Sequence, residues 1–259
     1  GLKQKVGLIA AKFYGHPTRK LTVIGVTGTN GKTSITQFIA NILNGLGVSC
    51  GVIGTIGVGF PGKLALLKNT TPDPVTLQKW LFELKKDGAQ VVAMEVSSHS
   101  LVQQRINGID FKIAVFTNLT REHLDYHGTI EDYGVAKKIL FKQKGLQYAI
   151  INADDEFGQK LIKELKLSLK VYAYTIKNTQ VGVPTVKAQD IKLDIAGIFA
   201  RVVTPWGEGV LKSHLLGGFN LSNLLAVLAV LGVMRLNIKE SLVRIEQLKT
   251  ANGRMQTFG

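Results

Sequence analysis

The chain has 259 residues, 45% hydrophobic and 19% charged, a globular composition long enough to bury a large core and unlike a disordered polypeptide. Its formal net charge is +14, yet the basic residues are scattered in short doublets such as Lys85-Lys86 and Lys137-Lys138, with no aromatic-plus-basic stripe, so anionic small molecules are expected as partners and nucleic acid is not. No apolar run is long enough to span a bilayer, GLKQKVGLIAAKFYG lacks the features of a secretory signal, and the single Cys50 excludes an internal disulfide framework and fits a reducing cytoplasm.

Residues 1–20 read as a helix followed by a connecting stretch, GHPTRK. From Leu21 onward short apolar runs alternate with helical periodicity. LTVIGV is a strand, and Lys32 to Leu46 shows helical spacing through Ile35, Phe38, Ile39, Ile42, Leu43 and Leu46. VSCGVIG is the next strand, followed by a helix over Val75 to Lys86 with Asp73 as its N-cap and Pro74 in its first turn. The alternation continues through AQVVAMEV, KIAVFTNL, a helix around Tyr133 to Phe141, YAIINAD, a helix around Glu156 to Leu167, and KVYAYT. Such a pattern predicts an α/β fold with a mostly parallel sheet flanked by helices. Over residues 181–214 alternating strands with Gly and Pro turns predict a small antiparallel subsheet. Helices over Asn220 to Met234 and Ile238 to Leu248 close the chain.

The stretch VIGVTGTNGKTSIT, residues 23 to 36, departs from the usual Walker spelling because Val26 stands where a glycine is required. Its context is nevertheless that of a phosphate loop: a strand, a glycine-rich turn, then a helix that opens on Lys32 and Thr33. Gly28 and Gly31 allow the backbone to turn its N–H groups inward, and the helix N-terminus adds partial positive charge. Lys32 is expected to bridge the β- and γ-phosphates, with the Thr33 hydroxyl on Mg²⁺. No N-K-x-D motif is present, which argues against a GTPase. Glu95, ending the apolar strand VVAMEV, is the candidate second acid; a surface edge position is its competing explanation.

Several stretches together resemble the Mur ligases: GVTGTNGKT, NTTPDP, MEVSSHSLVQQR, VFTNLTREHLDYHGT and YGVAKKILF, with GGFNLSN and NGRMQ extending the likeness to the end. Within that family the spellings are most similar to the members that add the third residue of the peptidoglycan stem peptide. The resemblance implies an ATP-dependent acid–amino-acid ligase acting on UDP-N-acetylmuramoyl-L-alanyl-D-glutamate, ATP and a diamino acid. The γ-phosphate would activate a carboxylate as an acyl phosphate, which the incoming amine then attacks. Two anions must meet, so cations and N–H donors must offset the developing charge.

By the same resemblance Gly28, Thr29, Asn30, Gly31, Lys32 and Thr33 would hold the ATP phosphates. Thr33 and Glu95 match ligands of a first Mg²⁺, and His123 a ligand of a second. Lys137 matches a lysine that the family carbamylates with CO₂, giving an anionic arm that can bind metal; a solvated helix-face lysine is the alternative, as expected for Lys138. Lys32, Glu95, His123 and Lys137 thus form the expected catalytic set. Thr70, Thr71, Ser97, Gln103 and Arg105 match contacts to the nucleotide-sugar peptide, with His99 in the same loop as support or contact. Asn220 and Asn223 match the region that meets adenine, although helix N-capping by Asn220 competes with that role. Arg254 matches an arginine near the phosphates, and Gln256 stands where the family usually has glutamate.

The resemblance further implies a connecting segment at residues 1–20 and a central ATP-binding domain at 21–259. The resemblance leads us to expect the UDP-gripping N-terminal domain and the amino-acid-binding C-terminal domain to be absent, with weak nucleotide binding and little ligation by this chain alone. A cytoplasmic monomer is expected. Lysine and diaminopimelate are not distinguished as the incoming residue. A folylpolyglutamate-synthetase (FPGS)-like ligase, and a P-loop NTPase or nucleotide-binding module without ligase activity, are the alternatives.

Overall fold

The computed structural model describes residues 1–248. The chain opens with α1 (Leu2–Phe13) and a 3-10 turn at Pro17–Lys20, then enters β1 (Thr22–Thr27) and α2 (Lys32–Gly45). Next come β2 (Cys50–Gly54), β3 (Gly57–Phe60), β4 (Lys63–Ala65), α3 (Pro74–Lys86), β5 (Val91–Glu95), α4 (Ser98–Val102) and β6 (Phe111–Phe116). The short α5 (Leu124–His127) leads into α6 (Ile130–Phe141), β7 (Tyr148–Asn152), α7 (Glu156–Leu165) and β8 (Lys170–Thr175). Strands β9 (Thr185–Asp194), β10 (Gly197–Thr204) and β11 (Gly207–Ser213) precede α8 (Gly218–Val233) and α9 (Ile238–Glu246).

Among the described residues eleven strands join one sheet in the order β11-β10-β9-β8-β7-β6-β1-β5-β2-β3-β4. Pairing is parallel from β9 through to β2 and antiparallel at both ends. The antiparallel strands expected over 181–214 are present, and they extend the main sheet through the parallel β8–β9 pair rather than standing apart. The second antiparallel edge, β3–β4, has no clear alternation in its sequence and was not anticipated.

Alternation of side chains across the strands divides the core into two layers. Ile24, Val26, Ala93, Ile113 and Val115 face α2, α8 and α9, whereas Val23, Val92, Met94, Ala114 and Phe116 face α3, α4, α6 and α7. The helix α8 is buried on nearly every side from Leu221 to Val233, which explains its almost uninterrupted apolar sequence. Among the described residues no helix is long and apolar enough to cross a membrane. At α3 the Asp73 carboxylate accepts from the N–H groups of Val75 and Thr76, and Pro74 occupies the first turn, as the sequence predicts.

Candidate active site

The chain leaves β1, β5 and β6 at neighbouring carboxyl ends of the sheet, and the loops that follow build a cleft of about 340 Å³. Residues 29–34 line one side of it. Gly28 and Gly31 have φ of +147° and +89°, and a Cβ on Gly28 would collide with the Thr117 hydroxyl. The turn is strapped to the loop after β6: Thr29 N donates to Asn118 O at 2.9 Å and Asn30 N to Asn118 Oδ1 at 2.9 Å. Thr117 Oγ1 donates to Asn30 O at 2.6 Å. Lys32 opens α2 and its Nζ donates to Gly28 O and Thr29 O at 2.8 and 2.7 Å, so the ammonium lies over the loop itself. The amino end of α2 adds its partial positive charge at the same point.

Glu95 is 1% exposed, which removes the surface-edge explanation. Thr33 Oγ1 donates to its Oε2 at 3.0 Å, and Thr55 donates to the carboxylate from N at 2.8 Å and from Oγ1 at 3.2 Å. A Cβ on Gly54 would strike Glu95 Oε1, so the glycine leaves the carboxylate its place. Thr55 was not anticipated, because nothing near it in sequence points to a carboxylate forty residues away.

Thr70, Thr71, Ser97, Arg105, His99 and His123 line the same cleft as residues 29–34. Thr71 Oγ1 donates to the Glu95 carbonyl at 2.9 Å, and Thr70 pairs with Thr55 through their hydroxyls at 3.0 Å. Ser97 caps α4. Arg105 donates to Thr71 O at 2.7 Å while its Nε and second terminal nitrogen fork onto Gln103 Oε1, so these two predicted residues are locked as a pair. His123 is exposed, with a φ of +57° that non-glycine residues seldom adopt; such strain is characteristic of functional loops.

Behind His123 lies an aromatic group of His99, Tyr126, His127 and Tyr133. Burial lowers the basicity of His99 and His127, aided by neighbouring cationic groups. Lys137 is 1% exposed, with its Nζ 4.0 Å from the centre of the Tyr133 ring. This burial overturns the solvated-face alternative. Burial, and then the charge of Lys32, push the Lys137 amine down to about 6. Lys138 lies partly exposed at the helix surface, as expected, and pairs there with Glu164.

Asn220 and Asn223 are both buried at the start of α8, and Asn223 Oδ1 approaches Gly31 so closely that a Cβ there would lie 2.6 Å from it. The N-cap of α8 is Gly217, and the Asn220 amide donates to Leu216 O at 2.9 Å. Helix capping by Asn220 is therefore corrected: the two glycines carry the chain into the helix, one turn earlier than the polar residue suggested. Arg254 and Gln256 lie outside the described residues.

This arrangement has counterparts. The Mur ligase middle domain matches residues 26–231. The chain belongs to the Mur ligase family. This Mur ligase domain is 46% identical, over 98% of its length, to the UDP-N-acetylmuramoyl-L-alanyl-D-glutamate–2,6-diaminopimelate ligase of Coxiella burnetii, covering 52% of that enzyme. To the ligase of the same description from Ectopseudomonas mendocina it is 49% identical over 100% of the chain and 52% of the relative. It thus spans about half the length of the curated relatives it matches. A solved structure of a ligase so described superposes with a TM-score of 0.89 at 34% identity, over 99% of this chain and 53% of that one. MurF from Acinetobacter baumannii (TM-score 0.77, 19% identity, 99% and 52% covered) and the apo form of L. casei FPGS (0.74, 12%, 94% and 66%) share the fold alone.

Proposed function

We propose that this Mur ligase domain is the nucleotide-binding middle portion of an enzyme that joins 2,6-diaminopimelate to UDP-N-acetylmuramoyl-L-alanyl-D-glutamate at the expense of ATP, in peptidoglycan synthesis. The observation that carries the reading is the single cleft shared by residues 29–34 and by Thr70, Thr71, Ser97 and Arg105. A nucleotide cradle and a set of donors suited to a carboxylate share one wall, as phosphoryl transfer to a carboxylate requires. The names borne by the relatives support diaminopimelate over lysine as the incoming residue. A cytoplasmic monomer accompanies this reading.

The residues fit Mg²⁺. Thr33 and Glu95 are hard oxygen donors held side by side, and Gly54 leaves the carboxylate uncrowded. Bound ATP with magnesium supplies the phosphoryl group and offsets its charge. The N–H groups of residues 28–33 and the Lys32 ammonium cradle the phosphates, and Arg105 orients the acceptor carboxylate. His123, which lines the same cleft, would serve a second ion. Lys137 holds its amine neutral near pH 7; the nitrogen lone pair adds to CO₂, a proton leaves, and the resulting carbamate presents two oxygens for metal. Asn220 and Asn223 frame the nucleoside end.

Calorimetry of the chain with a non-hydrolysable ATP analogue and Mg²⁺ tests the core of this reading. Weak binding is expected, reduced about tenfold or more, ~1.4 kcal/mol, by Lys32→Ala. No binding by the wild-type chain overturns it.

A further inference from the structure

The strap over the glycine-rich loop is itself held from behind. In the sheet β6 lies between β1 and β7, so the segment that follows it, residues 117–120, runs between the loop after β1 and the turn after β7. Toward the loop, this segment makes the bonds to Thr29 and Asn30 described above, and Thr120 N donates to Thr29 Oγ1 at 3.0 Å. Toward the turn, Asn152 Nδ2 donates to Thr117 O at 2.8 Å, and Leu119 N donates to Asp155 Oδ2 at 2.9 Å. The other ends of these two side chains hold the turn itself. Asn152 Oδ1 accepts from Asp154 N at 3.0 Å, and Asp155 Oδ1 accepts from Gly158 N at 2.9 Å, capping α7. A Cβ on Gly158 would strike Asn152 O, so α7 starts tight against the end of β7. Neither Asn152 nor Asp155 lines the cleft.

Resting on the ligase reading above, we infer that Asn152 and Asp155 are positioning residues for nucleotide binding: they fix residues 117–120, and that segment holds Thr29 and Asn30 in the conformation that receives the phosphates. A capping residue needs one acceptor oxygen, and Asp155 uses its second on the strap. Asn152 and Asp155 meet a carbonyl and an N–H of the same short segment, so it cannot pivot about a single bond. The glycines make such support necessary. Gly28 and Gly31 at positive φ leave the loop many conformations, and the cost of ordering it falls on binding unless bonds already hold it.

Two nearly isosteric exchanges test this. Asp155→Asn keeps an oxygen to cap α7 and turns an amide group toward Leu119 N. Asn152→Asp keeps the acceptor for Asp154 N and turns an oxygen toward Thr117 O. In ¹H–¹⁵N spectra of the chain without nucleotide, each variant should displace the Thr29 and Asn30 amide signals, while Asp155→Asn leaves the Gly158 signal of the retained cap in place. Calorimetry with the non-hydrolysable ATP analogue and Mg²⁺ should show affinity reduced about fivefold or more in each. Asp73→Ala, which removes a cap of the same kind from α3, is the structural comparison. It should lower the unfolding temperature and leave the loop amides and the affinity unchanged. Binding within about twofold of wild type in either folded variant, or unmoved Thr29 and Asn30 signals, overturns the positioning role alone and leaves the ligase reading standing. No binding by the wild-type chain overturns the ligase reading and the positioning role with it. If Asp155→Asn does not fold, Asn152→Asp, which leaves the α7 cap untouched, decides by the same outcomes.

Discussion

The glycine-rich loop at residues 28–33 and the inner face of α6 are held by opposite means. Residues 28–33 are shaped by backbone: positive φ at two glycines, N–H and carbonyl groups tied to Thr117 and Asn118, and a helix start. The inner face of α6 is shaped by buried side chains, with Tyr133 and Lys137 both 1% exposed. Backbone-built sites tolerate side-chain change except at the glycines. Side-chain-built sites depend on each buried group and carry a cost for every polar one. The contrast is sharp even within α6, where Lys137 is buried and Lys138, one residue on, sits at the surface beside Glu164.

The largest expected effect is on chemistry. On the proposed ligase reading, Lys137→Met in a ligase that contains this domain should lower kcat by about 100-fold or more, the scale of losing one preorganised charge in an active site. In the chain itself the same change should alter nucleotide affinity less than about threefold, because the phosphates meet the loop and not the lysine. Equal losses in both would break the distinction between the two regions.

Gly28→Ala attacks the backbone-built side. The added methyl group meets Thr117 Oγ1 and the φ of +147° is strained for alanine, so we expect a loss of about 2 kcal/mol or more in urea unfolding, with nucleotide binding lost alongside. Retention of both would show that the strap to Thr117 yields easily.

The buried amine makes a pH prediction. Lys137 titrates at about 6 in the fold against 10.5 as its ordinary value, so between those limits the unfolded chain binds one more proton than the folded one. Stability therefore rises with pH across this window, by up to about 1.4 kcal/mol per pH unit from this group. In CO₂-free buffer Lys137→Met should flatten that part of the slope, and unfolding at pH ~6.5 and ~8.5 measures it. An unchanged slope would mean that the amine is not held neutral by the fold.

Smaller effects complete the series. Asp73→Ala removes the α3 cap and should cost about 1 kcal/mol, with the cleft unaffected. Lys138→Ala should change stability by less than about 0.5 kcal/mol, since its pairing with a half-exposed Glu164 is screened by water. Thermal unfolding of these two variants sets the baseline against which the changes at Gly28 and Lys137 are read.

How much was legible depended on whether a feature is local. The β1–loop–α2 unit, the Asp73 cap and the alternation of parallel strands with helices follow from periodicity and turn chemistry within a dozen neighbouring residues. The short hairpin β3–β4 was missed because three- and four-residue strands carry too little alternation to read. For Asn220 capping competes with a nucleotide contact, because polar residues favour helix starts, but two glycines at 217 and 218 carry the turn. Glu95 is legible as an acid that ends an apolar strand, whereas the roles implied for His123 and Lys137 come with the family likeness and not from the residues' own spacing.

By itself the sequence determined an α/β domain built on a strand, glycine turn and helix, because these are encoded side by side, and its longer motifs carried the likeness to the Mur ligases. Only the tertiary structure decided that Glu95 is buried against Thr33 and Thr55, and that Lys137 lies buried on Tyr133 while Lys138 sits at the surface beside Glu164. Burial and the contacts it forces join residues tens to a hundred positions apart, and no local pattern records how much water a side chain loses when those segments meet.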